Sequence, residues 1–580
     1  MTSLVDAESV LAIDIGSINT RALLFDVVDG LYHFVSAASA RSTHGAPFYD
    51  ISEGVHSAIT RLQEVTGRTL TGSDSALILP SQPDGSGVDR LALTTSAGDD
   101  LNIVVMGLLS DVSMQSAHRL AGSTYGKVVE TIGLNDRRRS DAQLDALLNT
   151  TPDVVIMAGG TEKGATRSVN KLIDLVTTAS RILPKDRRPK VLYCGNGAVQ
   201  KRLTEGLERE TFVIKAPNIR PSIDQEDLSP AMLILAKTTA KLRAQKLGGL
   251  ESLSSLSSAP LLPSAYAIGR MMRFSSELAD ISKATLGIDL GANTTTMAVA
   301  EDGRLKLNVF RDLGIGGSLL PALQQVRAED VAAWVPFDIP VGQVRDHLYQ
   351  KSLYPASLPM TEETLAIEQA MARQILRTAT TRMLERYPDM DMSFERIFIS
   401  GAALANAPTP AQALMTVLDG VQPEGISALI LDPYGLSQAL GAIAGSNTLL
   451  PAQMIDSGAY INLGMVFCPV SRARPGTTIM KFKITYEDNR TAAVEVKQGS
   501  ITRLPISNGQ VVGLEWSTYH GTTLAPDLPR QKAPQVTGGL CGVIVDARGR
   551  PIRLPEDPAK RREQLTRWMS ALEDRRAAGG

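Results

Sequence analysis

Cysteine is scarce. Cys194, Cys468 and Cys541 are the only three in 580 residues, far apart and without a CxxC pair. A disulfide scaffold and a cysteine-based zinc site are therefore not expected. Histidine is nearly as sparse: the six (His33, His44, His56, His118, His347 and His520) form no HxH or HxxxH pair, which argues against histidine-held metal. An excess of one charge is missing too. With 59 Lys plus Arg against 61 Asp plus Glu the net charge is -2, so neither an extended nucleic-acid footprint nor an acidic tail is expected. No apolar run of about 18 residues exists, which argues against a conventional membrane span. The start, Met1 to Glu8, has no basic n-region and no apolar h-region, so a signal peptide is not predicted and a cytoplasmic location is. What remains is an ordinary globular composition too long for one core, and three or four domains are expected.

What the chain does have is an internal echo. Residues 11–20 read LAIDIGSINT and residues 286–295 read LGIDLGANTT. Each is a short apolar run ending in a polar, Gly-containing turn, with a second apolar run behind it: Ala22-Leu23-Leu24-Phe25 in one case and Met297-Ala298-Val299-Ala300 in the other. This is the pattern of a β-hairpin with a polar tip. Two copies so far apart predict two similar α/β lobes rather than a short-period solenoid. Strand and helix signals alternate between them, as in α/β layers. We expect a first lobe over 9–248, a connector over 249–283 opening on the Ser- and Pro-rich stretch 249–263, and a second lobe over 284–455. Past that point Met480, Phe482, Ile484 and Tyr486 alternate with polar residues, Asn508-Gly509 signals a hairpin, and Leu565, Trp568, Met569 and Leu572 form a helical stripe. Residues 456–580 thus read as a β-rich accessory domain closed by a helix.

Asp-x-Gly at a strand end, followed by Ser or Thr, is suited to gripping phosphate. Glycine lets backbone N–H groups approach phosphate oxygens, and hydroxyls add neutral donors. The carboxylate would be repelled by phosphate unless a hard cation lay between, and hydrated Mg2+ meets that need. Two such hairpins facing each other would clamp a triphosphate from both sides.

The first motif, Asp14-Ile15-Gly16-Ser17-Ile18-Asn19-Thr20-Arg21, resembles the first phosphate motif of the actin-like ATPases, the superfamily of heat-shock chaperones and sugar kinases; Arg21 stands where Lys is frequent. Asp289-Leu290-Gly291-Ala292-Asn293-Thr294-Thr295 resembles the second, and Ile397 to Leu404, with Gly401 at its turn, resembles the adenosine motif. One branch is more similar: the glutamate mutase accessory proteins called MutL or GlmL, unrelated to the mismatch-repair protein. Tyr49 to Val55, Thr94 to Leu101, Met157-Ala158-Gly159-Gly160-Thr161-Glu162-Lys163-Gly164 and Asn218-Ile219-Arg220-Pro221 resemble segments of that family, in order, over roughly residues 9–445.

The resemblance implies a duplicated ribonuclease-H-like, two-lobed α/β core with nucleotide in the cleft, to which the C-terminal β-rich domain is added. It implies ATP and Mg2+ as cofactors: Asp14 and Asp289 on the cation, Ser17, Thr20, Arg21, Thr294 and Thr295 on phosphates, Gly16, Asn19, Gly291 and Asn293 in the two tips, and Gly401 under the adenosine. It implies adenosylcobalamin-dependent mutase subunits as partners and reactivation of such a mutase as the activity. The chain departs from the pattern where an acid is usual, at Thr296, and carries Ala292 and Ala402 where Gly is frequent. Slow hydrolysis, or binding without it, is compatible with these changes. Asp224 and Glu226 are the nearest candidates for a general base, and helix capping explains both equally well. Two other activities fit the same fold: a small-molecule kinase, and a non-hydrolysing scaffold that self-associates as actin-like proteins can.

Several segments look like sites and are read otherwise. Gly122 to Val128 mimics a P-loop with the wrong glycine spacing and no Ser or Thr after Lys127. Gly314-Ile315-Gly316-Gly317 lacks Rossmann spacing and serves either structure or nucleotide. Arg137-Arg138-Arg139 reads as a solvated helix start, and Gly159-Gly160-Thr161 either as a tight structural turn or, on the family resemblance, as a segment near the site or at a subunit contact.

Overall fold

The computed structural model describes residues 8–162, 164–525 and 534–573. Residues 1–7, on which the signal-peptide reading rests, and Lys163 of the Gly-Gly-Thr turn lie outside them.

Apolar runs set the first sheet. β1 (Val10–Ile15) is buried throughout, β2 (Asn19–Val28) buries Ala22 to Phe25, and β3 (Leu31–Arg41) returns beside it. β1 and β2 pair antiparallel from Ile15↔Thr20 to Val10↔Phe25, the expected hairpin. β4 (Arg90–Thr95) then joins β1 in parallel. The chain next builds a separate, all-parallel sheet from β5 (Leu101–Gly107), β6 (Gly126–Gly133), β7 (Val154–Met157), β8 (Lys190–Tyr193) and β9 (Val213–Lys215), in the order β6-β5-β7-β8-β9. The continuous apolar runs of β5 and β7 suit strands covered on both faces. β10 (Leu262–Pro263) comes back beside β4, giving the order β10-β4-β1-β2-β3.

The second lobe repeats this plan. β11 (Thr285–Leu290), β12 (Thr295–Glu301) and β13 (Arg304–Phe310) run antiparallel, and β14 (Arg396–Ser400) and β15 (Gly425–Leu431) follow in parallel on the far side of β11. The order β13-β12-β11-β14-β15 mirrors β3-β2-β1-β4-β10 strand for strand. The echo in sequence is thus an echo in topology, and the core is the duplicated, two-lobed, actin-like one. The lobes differ in their insertions: the first carries the parallel sheet, the second a set of helices ending in Glu362–Arg386. That helix starts with a capping box, in which Thr361 and Thr364 each bond the other's backbone N–H. Helices Ser264–Leu278 and Leu436–Ile443 cross between the sheets and share one apolar core with Ala12, Leu23 and Ala298. The stretch 249–283 is therefore more than a link, since it supplies β10 and a largely buried helix.

β16 (Ile461–Cys468) pairs with β15. β17 (Thr478–Tyr486) and β18 (Thr491–Lys497) make the hairpin that the alternation predicts. With β19 (Ile501–Leu504), β20 (Val511–Thr518), β21 (Gln535–Thr537) and β22 (Val543–Asp546) they split between two sheets: β16, β22 and β19 extend the second lobe's sheet to eight strands, and β18-β17-β20-β21 form a sheet of four. A division at 455/456 consequently falls between β15 and its hydrogen-bonded neighbour. Asn508-Gly509 is a turn but closes no hairpin. Its Gly509 N–H donates to the Gly538 carbonyl (2.8 Å), and the flanking strands β19 and β20 pair elsewhere, with β22 and with β17 and β21.

Buried charge adds to this junction. Arg548 donates to Asp419 at 2.6 Å and to both oxygens of Asp546 at 2.8 and 2.9 Å, and its guanidinium lies 4.8 Å from the centre of the Trp568 ring. Arg373 meets Asp419 at 2.7 Å and Arg550 meets Asp546 at 3.0 Å. Burial alone would raise the Asp546 carboxyl pKa; the two guanidiniums override it and hold the group well below the usual carboxylate range. The helix Pro558–Ser570, N-capped by Asp557, buries Trp568 against the second-lobe core, with Leu572 just beyond. Among the described residues no helix is long and apolar enough to cross a membrane.

Candidate functional site

The two hairpin tips face a common cleft of about 910 Å³. Asp14, Gly16, Ser17, Asn19 and Arg21 line it from the first lobe, and Asp289, Gly291 and Gly401 from the second. The tips are built alike. Gly16 N–H donates to the Asn19 carbonyl at 3.0 Å, and Gly291 N–H to the Thr294 carbonyl at 2.9 Å. A Cβ on either glycine would stand 2.7 or 2.8 Å from that same carbonyl, so turns this tight require glycine.

The carboxylates are also held alike. Asp14 Oδ1 accepts from Thr94 Oγ1 (2.8 Å) and Ser264 Oγ (2.7 Å); Asp289 Oδ1 accepts from Ser400 Oγ (2.7 Å) and, at longer range, Gln438 Nε2 (3.5 Å). In both lobes the first hydroxyl comes from the register partner on the parallel strand, Asp14↔Thr94 and Asp289↔Ser400. Neither Oδ2 accepts a hydrogen bond among the described residues, although Arg21 Nη1 stands 3.8 Å from that of Asp14. Burial raises the Asp289 carboxyl pKa; Ser400 and Arg21 oppose the rise, and the charges of Asp14 and Asp432 add to it. Two carboxylates, each with one oxygen fixed and the other free of hydrogen bonds among the described residues, form a donor set that fits a hydrated divalent cation.

The register explains the departure at residue 296. Arg21 is the antiparallel partner of Asp14, and Thr296 that of Asp289. Thr296 is 0% exposed, its hydroxyl has no partner, and it does not line the cleft. An acid there would be buried beside an already crowded carboxylate.

Other expected contacts brace the tips instead of lining the cleft. Thr20 is buried, with its hydroxyl 2.9 Å from Ser42 Oγ, which donates to the Gly16 carbonyl at 2.6 Å. Thr295 donates to the Leu313 carbonyl at 2.7 Å. Thr294 closes its turn through its backbone, and the Asn293 side chain packs over Gly317. The Gly314–Gly317 segment is a buttress of this second tip: Ile315 N–H donates to the Gly291 carbonyl at 3.0 Å. Gly401, at φ 101°, rests on the Leu290 carbonyl.

Sequence reasoning missed Thr94, Ser264, Ser400 and Gln438, which hold the carboxylates from distant strands and helices. It also missed the wall beyond them. Lys351, 7% exposed, pairs with Glu368 at 3.1 Å and donates to the Ser357 carbonyl at 2.5 Å. Beside them Leu358, Met360, Ala402, Ala403 and Pro408 give the cleft an apolar end. Asp224 and Glu226 are not in the cleft lining, and Glu226 is engaged by Arg119 (2.9 Å) and Arg220 (3.4 Å). The P-loop mimic is structural, since the Gly122 carbonyl accepts from Val309 N–H at 2.8 Å. Arg138 pairs with Glu130 and Asp136 before the helix Ser140–Thr150. The Gly159-Gly160 turn after β7 is held by Asn218, which donates to the Gly160 carbonyl at 3.0 Å.

A family model described as "MutL protein" matches residues 10–458. The chain belongs to the MutL protein family. No curated protein matches its sequence. Among solved structures it is similar to the gluconate kinase of Lactobacillus acidophilus (10% identity, 80% of this chain and 94% of that one, TM-score 0.32). It is similar to the xylulose kinase of Bifidobacterium adolescentis (13%, 78% and 93%, 0.29) and to component A of the (R)-2-hydroxyglutaryl-CoA dehydratase of Acidaminococcus fermentans (10%, 75% and 96%, 0.26). In this MutL protein the site is the cleft framed by the two hairpins of the duplicated core.

Proposed function

We propose that this MutL protein binds ATP with Mg2+ between its lobes, hydrolyses it slowly, and serves as a reactivating factor for an adenosylcobalamin-dependent mutase. The observation that carries the nucleotide reading is the symmetric pair Asp14 and Asp289. Each has Oδ1 fixed by the hydroxyl of its register partner and Oδ2 without a hydrogen bond among the described residues, on opposite sides of one cleft. Mg2+, when bound, supplies the charge that lets these carboxylates and the phosphates share the cleft.

The chain's own groups divide the remaining work. The tips at Gly16 and Gly291 present backbone to the phosphates from both sides, and Ser17 adds a hydroxyl. Arg21, across from Asp14, contributes positive charge to the phosphate end. The apolar end beside Gly401 takes the base. Drawing both tips onto one triphosphate favours a closed arrangement of the lobes, and loss of the γ-phosphate weakens that preference. A partner that binds the two arrangements with different affinity is then coupled to the nucleotide, as release of damaged cobalamin requires. The mutase partner follows from the family alone.

The test is reactivation. A cobalamin-inactivated glutamate mutase is incubated with the protein, Mg2+-ATP and fresh adenosylcobalamin. Activity should return with ATP and not with ADP. No recovery, together with nucleotide binding by the protein, would remove the mutase assignment and leave the nucleotide cleft.

A further inference from the structure

The two hairpin tips echo each other in sequence but are braced by different means. In the second, the carbonyls of Gly291 and Ala292 accept from backbone N–H groups, those of Ile315 (3.0 Å) and Ser318 (3.4 Å). In the first, the equivalent carbonyls accept from side chains. Ser42 Oγ donates to the Gly16 carbonyl at 2.6 Å, and His44 Nε2 lies 3.0 Å from the Ser17 carbonyl. A carbonyl oxygen can only accept, so His44 Nε2 carries the hydrogen. The Ile18 carbonyl accepts from Ser42 N–H at 2.9 Å, which ties three successive carbonyls of the tip to one short segment past β3.

That segment is itself anchored. Between Ser42 and His44, Thr43 is fixed to the start of the helix Ser52–Thr66: its hydroxyl accepts from Gly54 N–H at 3.1 Å and its carbonyl from Asp50 N–H at 3.2 Å. Ser42 and His44 do not line the cleft; they stand behind the tip, whose residues Gly16, Ser17, Ile18 and Asn19 do line it.

Peptide geometry says what such a brace accomplishes. The peptide bonds of the tip are trans, and across a trans peptide the C=O and the next N–H point in opposite directions. Drawing the Gly16 and Ser17 carbonyls back therefore turns the N–H groups of Ser17 and Ile18 forward, to the cleft side. Neither N–H has a partner among the described residues. Two successive unpaired amides turned to one space make a concavity suited to an anion.

We infer that His44, with Ser42, is a positioning residue for the nucleotide: it touches no ligand and aims the Ser17 and Ile18 amides at a phosphate oxygen. The inference rests on the nucleotide reading above. It also makes the tips unequal, since side-chain substitution can slacken the aim of the first and cannot reach the main-chain brace of the second.

The experiment uses the full chain with His44→Gln, His44→Asn, His44→Leu and Ser42→Ala. The glutamine amide nitrogen reaches about as far from the backbone as histidine Nε2, the asparagine one falls short, and leucine has no donor. Calorimetric affinity for Mg2+-ATP and the melting temperature without nucleotide are measured for each. We expect His44→Gln to bind within about threefold of wild type, and His44→Asn, His44→Leu and Ser42→Ala to bind roughly tenfold more weakly, as loss of one aligned hydrogen bond implies. The melting temperatures of His44→Gln and His44→Asn should agree within about 3 °C, so that affinity and stability separate. Wild-type affinity in His44→Asn, His44→Leu or Ser42→Ala overturns the role and leaves the nucleotide reading standing. So does a His44→Gln variant as weak as His44→Asn, because the donor would then not be what matters. Melting temperatures that fall in step with affinity also overturn it, in favour of a purely structural brace. Wild-type protein that binds no Mg2+-ATP sinks the nucleotide reading, and this inference with it.

Discussion

Replacing Arg548 by Met tests whether the C-terminal strands belong to the second lobe. The Arg548 side chain is 0% exposed and is shared by Asp419 at 2.6 Å and Asp546 at 2.8 and 2.9 Å, so its loss uncovers two buried carboxylates together. Removing one partner of a buried ion pair costs about 3–5 kcal/mol, because the other charge stays desolvated. Arg373, 2.7 Å from Asp419, and Arg550, 3.0 Å from Asp546, remain to neutralise them. The expected loss therefore sits at the lower end, about 3 kcal/mol. Hydrogen exchange is the suitable assay, since a chain of this size need not unfold in one step. Peptides covering 415–421 and 543–548 should open roughly a hundredfold more often in the variant. The exposed pair Arg202–Asp174, at 2.6 Å, is the control, and Arg202→Met should leave the melting temperature and the opening of both peptides as in wild type. Opening within threefold of wild type at both peptides would refute the claim that this network joins the segments.

The same network sets an acid limit. Asp546 has its pKa lowered in the folded chain, so its contribution is complete above the ordinary carboxyl value of about 3.9 and fades as pH falls towards the folded value. Melting temperature should drop below about pH 4 in wild type, and an Asp546→Asn variant, already weakened, should show a shallower drop. Thr296→Val deletes a buried hydroxyl that has no partner and should leave the melting temperature unchanged or raise stability by up to about 1–2 kcal/mol. A lower melting temperature would show that the hydroxyl is used. Burial pushes the thiols of Cys194 and Cys468 up to about 12 and that of Cys541 up to about 11. A disulfide-exchange reagent at pH 8 should label none of them in the native protein and all three in guanidinium; fast native labelling of any one would contradict its placement.

Much of the site was legible because a repeated local motif dictates a repeated local structure. The two Asp-x-Gly runs predicted two hairpins, and their tips meet at one cleft. Local sequence did not reveal which hydroxyls would fix the carboxylates. Thr94 and Ser400 do so through strand register, and Ser264 and Gln438 through the crossing helices, contacts that span 80 to 250 residues of chain. Thr20 and Thr295 have the residue type that a phosphate contact needs, but the pleat turns alternate side chains to opposite faces and sends both hydroxyls into the supports behind the tips. The texture change near residue 455 was real as composition and misleading as a boundary. β16 and β22 have the apolar runs of central strands and take their places in the second lobe's sheet. Asn508-Gly509 shows the same limit, for a turn signal does not say which strands will pair.

The central claim is that Asp14 and Asp289 jointly hold a cation-bound nucleotide. Calorimetric titration with Mg2+-ATP of wild-type protein, Asp14→Ala and Asp289→Ala tests it most directly. The account predicts clear binding by wild type and a loss of well over tenfold in each variant, because either substitution removes a cation-linked carboxylate. Variants that bind like wild type, or wild type that binds nothing at millimolar nucleotide, would contradict it.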